Sequence, residues 1–223
     1  MGIEAIIKEV HMADFDIQTV DLNDLMEGVT DNIKDNMKTF EDVINLDGAL
    51  NRELYLYDIT PGCGTSIDGY IRFWNDYDNK HNIPIKERKP IKIYIDSYGG
   101  SLTDSFTIID SIKMSKTPVW TIAVGCAYSG GFFCFISAHK RIAYPHASFL
   151  FHEGSTGTSG TSSQFENYSV FYRKQLNQLK NIVLEHTAIT ENEYDIMRKD
   201  DIWYDTNEGI EKGFVDEIAE ELI

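Results

Sequence analysis

Between Thr117 and Ala138 the chain runs for 22 residues without an Asp, Glu, Lys or Arg. A stretch so poor in charge must leave water, either in a bilayer or in a protein core. Its small residues decide between the two. Pro118, Gly125, Ser129, Gly130 and Gly131 break the run into a β-branched first part, Val119 to Val124, and a phenylalanine-rich second part beginning at Gly130. We read a buried strand, a tight turn over Gly125 to Ser129 and a buried helix, not a membrane span. That unit belongs to an α/β protein with a largely parallel sheet.

The flanking pattern extends the alternation. Leu54 to Asp58 reads as a strand, Thr60 to Gly64 as a turn, and Ser66 to Tyr77 as a helix with Ile67, Tyr70, Ile71 and Trp74 on one face. Residues 78–90 are polar and hold Pro84 and Pro90, which predicts a surface loop. Ile91 to Ile95 places three isoleucines at period two. After Asp96 to Gly100, Ser101 and Asp104 form a capping-box pattern opening a helix to about Met114. Two short strands, Arg141 to Tyr144 and Ser148 to Phe151, follow the phenylalanine-rich helix. Residues 154–164 have the Gly/Ser/Thr composition of a flexible linker. Phe165, Tyr168, Tyr172, Leu176, Leu179 and Val183 then stripe a long helix, packing surface or an arm toward a neighbouring subunit. Asp205 and Glu208 start a short helix ended by Gly213, and Phe214 to Ile218 closes the domain.

Charge is concentrated at the ends. Residues 1–50 carry 12 acidic and 3 basic side chains, and residues 191–223 the same numbers, out of a net −16. The middle is near neutral, so the acids are read as solvated ends around a packed body. Residues 1–50 form an acidic N-terminal extension, and 51–223 the folded domain. With 20 basic against 36 acidic residues there is no basic face for phosphates, which excludes nucleic acid as a partner. Three cysteines without C-x-x-C spacing point to buried thiols in a reducing compartment. The first sixteen residues have no apolar run typical of a signal peptide, so the expectation is a soluble, cytoplasmic protein.

Ser129 is the residue whose setting most invites chemistry. Between a buried strand and a helix N-terminus, a serine sits where free N–H groups and the helix dipole stabilise an oxyanion; it is also a common N-cap. A nucleophilic serine needs a base, and His152, ending the apolar Ser148 to Phe151 run, is the best placed of six histidines, though core histidines look the same. Asp200 or Asp201, before Ile202 and Trp203, could orient its ring. Gly99 and Gly100 offer a second set of backbone donors. No H-E-x-x-H, paired Cys/His spacing or phosphate-binding loop is present, so no metal or cofactor is expected.

In order, these pieces resemble the proteolytic subunit of the Clp protease. Ile93-Tyr-Ile-Asp-Ser-Tyr-Gly-Gly-Ser101 resembles the family's strand and N-S-P-G-G-S turn. Val124-Gly-Cys-Ala-Tyr-Ser-Gly-Gly131 resembles its nucleophile turn, and Phe149-Leu-Phe-His152 its histidine strand. Leu184-Glu-His-Thr-Ala188, Arg198-Lys-Asp-Asp-Ile-Trp203 and Glu208 to Ile218 resemble its C-terminal stretches. The likeness covers about three quarters of the chain, Glu53 to Ile218. It implies a ClpP/crotonase-like α/β fold with a handle near 154–188, and a serine endopeptidase. Ser129 would be the nucleophile, His152 the base, Asp201 the orienting acid, and the N–H groups of Gly100 and Gly130 the oxyanion donors. It further implies a homo-oligomer of heptameric rings stacked as a tetradecamer and peptide or unfolded-protein substrates. An AAA+ unfoldase would be the partner that uses ATP. The segment after His152 would form an extended strand along which substrate lies. Tyr98, Tyr128, Gly130 and Glu153-Gly154 depart from the family's pattern. Two rivals stand beside this reading: an acyl-CoA enzyme on the related crotonase scaffold, and a ring subunit that does not cut, with Tyr128 blocking the cleft.

Overall fold

The computed structural model describes Gly48 and residues 51–223. Apart from Gly48, the expected acidic extension and its boundary lie outside the described residues. The elements run β1 (Glu53–Leu56), α1 (Cys63–Lys80), a 3₁₀ turn (Ile85–Glu87), β2 (Ile91–Ser97), α2 (Leu102–Met114), β3 (Val119–Tyr128) and α3 (Gly130–Ile136). Then come β4 (Lys140–Ala143), β5 (Ser148–Phe151), α4 (Ser162–His186), α5 (Glu191–Met197), β6 (Ile202–Asp205), α6 (Thr206–Glu211) and β7 (Glu217–Ile218). The α/β class expected from the alternation is what forms.

Strands β1, β2, β3, β4 and β7 lie side by side in parallel, and β3 is the hub. Its first half pairs with β2 and β4, while its second half, Cys126 to Tyr128, pairs with β5; β6 then adds antiparallel to β5. The tight turn expected over Gly125 to Ser129 is therefore wrong: β3 continues to Tyr128. The continuation depends on a bulge, since Ile95 pairs with Ala123 but Ser97 pairs with Ala127. Asp96 occupies the bulge, its carboxylate accepting from the Cys126 N–H at 3.0 Å. Gly125 lies against that carboxylate, where a Cβ would collide. The glycine marks a bulge rather than the end of the strand.

The larger core lies on the α3 side of the sheet, and Tyr94, Ile122, Ile142 and Ala219 form a smaller buried cluster of their own. Every residue of α3 is buried, and Phe132, Phe135, Phe149, Phe151 and Phe214 are fully enclosed with edge-on or tilted ring contacts among them. Burial of each such side chain is worth about 1.5–3 kcal/mol. This is why the uncharged stretch enters a protein interior. No helix among the described residues is long and apolar enough to cross a membrane.

Two more expectations are revised. Helix α1 starts at Cys63, not Ser66, because Asp104 on α2 supplies the cap: its carboxylate accepts from the N–H groups of Gly62 (2.9 Å) and Gly64 (3.1 Å). Residues 78–80 belong to α1, and Asp78, expected in a surface loop, is fully buried. Residues 152–161, which the resemblance implies would lie extended along substrate, pair with no strand of their own chain, and exposed irregular chain from Gly154 leads into α4. Helix α4 opens with a Thr161/Gln164 capping box, buries Leu179, Ile182 and Val183, and leaves Phe165, Val170 and Phe171 more than half exposed. The apolar stripe thus packs at its C-terminal end only. Asp104→Ala is expected to lower the stability of the domain by about 1 kcal/mol, the usual cost of a lost cap, measured as a shift in urea midpoint. An unchanged midpoint would show that water replaces the carboxylate.

Candidate active site

The junction of β3 and α3 holds Ser129 in a conformation that serine rarely adopts, φ 53° and ψ −120°. Such backbone costs on the order of 1–3 kcal/mol and persists only where neighbours enforce it. Here the Ser129 N–H donates to the Leu150 carbonyl at 3.0 Å, and the Ser129 carbonyl accepts from the N–H groups of Phe132 and Phe133. Fixed at both ends, the residue stands at the helix N-cap without capping, since its side chain makes no cap hydrogen bond. The sharp strand-to-helix turn instead presents the hydroxyl to a cleft.

Sheet register brings the histidine and the acid to the same place. Tyr128 pairs with Leu150 and, across the antiparallel pair, Leu150 faces Trp203 and Phe151 faces Ile202. One step beyond that ladder on each strand lie His152 and Asp201. The His152 Nδ1 is 3.4 Å from Asp201 Oδ1, with the His152 side chain 29% and the Asp201 side chain 62% exposed. His152 Nε2 is buried and has no hydrogen-bond partner. A buried imidazole nitrogen left open is costly unless something else fills it. Asp200, the alternative acid, is exposed, and its N–H instead donates to the Met197 carbonyl.

Ser129 and His152 line one cleft of about 490 Å³, together with Gly100, Gly130, Leu102 and Phe133, and with Tyr168, Phe171 and Tyr172 from α4. The glycines crowd the serine. A Cβ on Gly99, whose φ is +95°, would lie 2.7 Å from the Ser129 Cβ and 2.9 Å from the Gly130 nitrogen; one on Gly130 would lie 3.6 Å from the Gly100 nitrogen. Gly99, Gly100 and Gly130 are thus packed closely around Ser129. A clamp that the motifs did not reveal fixes Gly100. The Ile59 N–H donates to the Gly99 carbonyl at 2.9 Å, and the Ser101 N–H donates to the Ile59 carbonyl at 2.7 Å. Nothing about Ile59 in sequence signals this, because its role comes from parallel pairing across 41 residues.

Tyr128 does not close the cleft. Its hydroxyl bonds Ser148 Oγ at 2.7 Å, and its ring meets Tyr98 and Trp203 edge-on, outside the cleft lining. Cys126 is no rival nucleophile: burial first, then the Asp96 carboxylate, push its thiol up to about 11. The other described histidines are engaged or remote; His139, for instance, accepts from the Val119 N–H at 3.1 Å. Among the described residues no group of three or more His, Cys, Asp or Glu could hold a metal ion.

A family model described as Clp protease matches residues 84–222. The ATP-dependent Clp protease proteolytic subunit 2 of Treponema denticola is 31% identical over 133 residues, 59% of this chain and 66% of that protein. The subunit of the same name from Borreliella burgdorferi is 33% identical over 137 residues, 60% of this chain and 68% of the relative. Subunit 1 from Streptomyces avermitilis is 32% identical over 137 residues, 60% of this chain and 63% of the relative. The similarity thus takes in roughly two thirds of the length of these relatives.

Proposed function

The chain belongs to the Clp protease family, whose members are serine-type peptidases, and from that premise we propose that it is an endopeptidase acting through Ser129, His152 and Asp201. The observation that carries the assignment is that Ser129 and His152 line one cleft while His152 Nδ1 lies 3.4 Å from Asp201 Oδ1. His152 Nε2 accepts the Ser129 proton as Oγ attacks the peptide carbonyl, and returns it to the departing amine. Asp201 holds the proton on Nδ1 and stabilises the imidazolium that forms. The developing oxyanion lies against the N–H groups of Gly100 and Gly130, where each donor is worth about 10²–10³ in rate. Water then attacks the acyl-enzyme and gives a proton to His152, which passes it to Ser129 Oγ as the ester bond breaks and the acid leaves.

No step needs a cofactor. The chain works in the cytoplasm, in line with three free cysteines, as stacked heptameric rings. The exposed Phe165, Val170 and Phe171 of α4 are apolar surface for that assembly. Unfolded polypeptide is the substrate, fed by an ATP-driven AAA+ unfoldase. A fluorophosphonate probe tests the nucleophile: mass spectrometry should find the adduct on Ser129, and assembled protein that takes up no probe would overturn the reading. Register separates the two acids. Asp201→Asn is expected to lower kcat at least about 10²-fold, whereas Asp200→Asn should stay within about twofold, as exposed substitutions usually do. Equal losses would remove Asp201 from the assignment.

A further inference from the structure

The hydrogen-bonded ladder between β5 and β6 stops at Phe151 and Ile202, one residue short of His152 and Asp201. Those two side chains are joined at 3.4 Å with the acid largely in water, so their own attraction is weak. The same gap is crossed a second time at the cleft wall, which Glu153 also lines: Arg198 Nη1 donates to Glu153 Oε1 at 2.9 Å. Glu153 follows His152 directly, and Arg198 caps α5 three residues before Asp201.

We propose that the Glu153–Arg198 ion pair is a positioning device that sets the separation of His152 and Asp201; the inference rests on the reading of those residues given above. Glu153 is held twice, by Arg198 at its carboxylate and by the Tyr172 hydroxyl of α4, which donates to its carbonyl at 3.2 Å. Arg198 stays tied to its own helix by Asp195 at 3.7 Å. The turn carrying Asp201 therefore cannot drift from the end of β5 without separating Arg198 from Glu153. Small displacements of an orienting group lower the fraction of molecules in reactive geometry, which lowers kcat while leaving substrate contacts in place.

The test uses the full-length assembled protein with Glu153→Gln, Arg198→Gln and Arg198→Lys. The readouts are the rate of fluorophosphonate labelling at Ser129, and kcat and KM for a fluorogenic peptide across pH. Positioning predicts that both glutamine variants lose about fivefold in labelling and in plateau kcat, the upper range for one partly exposed pair. KM should be unchanged for Arg198→Gln, whose side chain does not line the cleft, and Arg198→Lys should retain most of the rate because it keeps the charge. An electrostatic effect on His152 would behave differently, since removing a negative and a positive neighbour moves the acidic limb of the profile in opposite directions. Opposite pH shifts with an unchanged plateau, a loss confined to KM, or glutamine variants equal to the parent would each overturn the proposal. The parent protein separates this failure from a wider one: if it does not label at Ser129, the peptidase reading falls and the positioning role falls with it.

Discussion

Ser129→Ala is expected to abolish peptide hydrolysis, lowering kcat by on the order of 10⁴–10⁶, while leaving the melting temperature almost where it was. The combination is what the geometry predicts. The Ser129 side chain makes no cap hydrogen bond, so its loss takes away no helix-capping interaction. Alanine inherits the same φ of 53°, since the strain is imposed by the backbone bonds to Leu150, Phe132 and Phe133 and is not relieved by losing an oxygen. A capping serine would show the reverse, a loss of about 1 kcal/mol in stability with activity retained. Initial rates on a fluorogenic peptide, with thermal unfolding of the same samples, decide the matter. Residual turnover within tenfold of the parent would move the nucleophile elsewhere.

Arg52→Ala should produce the largest fall in stability. Asp78 is fully buried and accepts two hydrogen bonds from Arg52, at 2.6 and 2.9 Å, and one from the Thr117 hydroxyl at 2.7 Å. The Arg52 guanidinium also lies over the Trp74 ring, 4.4 Å from its centroid. Removing the arginine leaves a buried carboxylate short of its main partner, a loss of about 3–5 kcal/mol. For a chain of this size that corresponds to a melting point lower by roughly 10 °C. The pH dependence follows from the same contacts. Burial pushes the Asp78 carboxyl upward, but the bonds from Arg52 and Thr117 and the charges of Arg52 and Arg88 outweigh it, and the net shift is downward. A depressed carboxyl contributes stability that is fully present above its unfolded value near 4 and is lost as pH falls through the folded value. Arg52→Ala should erase that acid-side contribution and let burial dominate; a carboxyl raised above its unfolded value costs stability at neutral pH and returns it as pH falls, so the gap between parent and variant should narrow toward acid. Arg52→Lys, which keeps one charge, guards against outright misfolding and should fall between the two. A melting shift under about 3 °C for Arg52→Ala would mean that water enters and solvates Asp78.

Much of the arrangement was legible because it is written in local chemistry. The isoleucines of β2, the phenylalanines of α3 and the Asp205/Glu208 capping box each carry their own periodicity or hydrogen-bonding rule, and each forms as read. Where reading failed, a distant residue had intervened. Gly125 looks like a turn until Asp96 fills the bulge beside it, Ser66 looks like the start of α1 until Asp104 caps Gly62, and Asp78 looks solvated until Arg52 reaches it from 26 residues away. Carboxylates are the common cause. Hydropathy counts an acid as surface, whereas a guanidinium or a row of backbone N–H groups can hold it inside.

The site divides in the same way. The strand and the helix that meet at Ser129, and the identity of the candidate base, follow from sequence, because a buried strand entering a buried helix leaves few other ways to place those residues. Whether Ser129 capped its helix, which of Asp200 and Asp201 met the imidazole, and how Gly100 was fixed beside Ser129 were decided by tertiary structure alone. Each depends on register between strands far apart in the chain: β3 with β5, β5 with β6, and Ile59 with Gly100. A shift of one residue would turn every one of those side chains to the other face, and no local propensity encodes that choice.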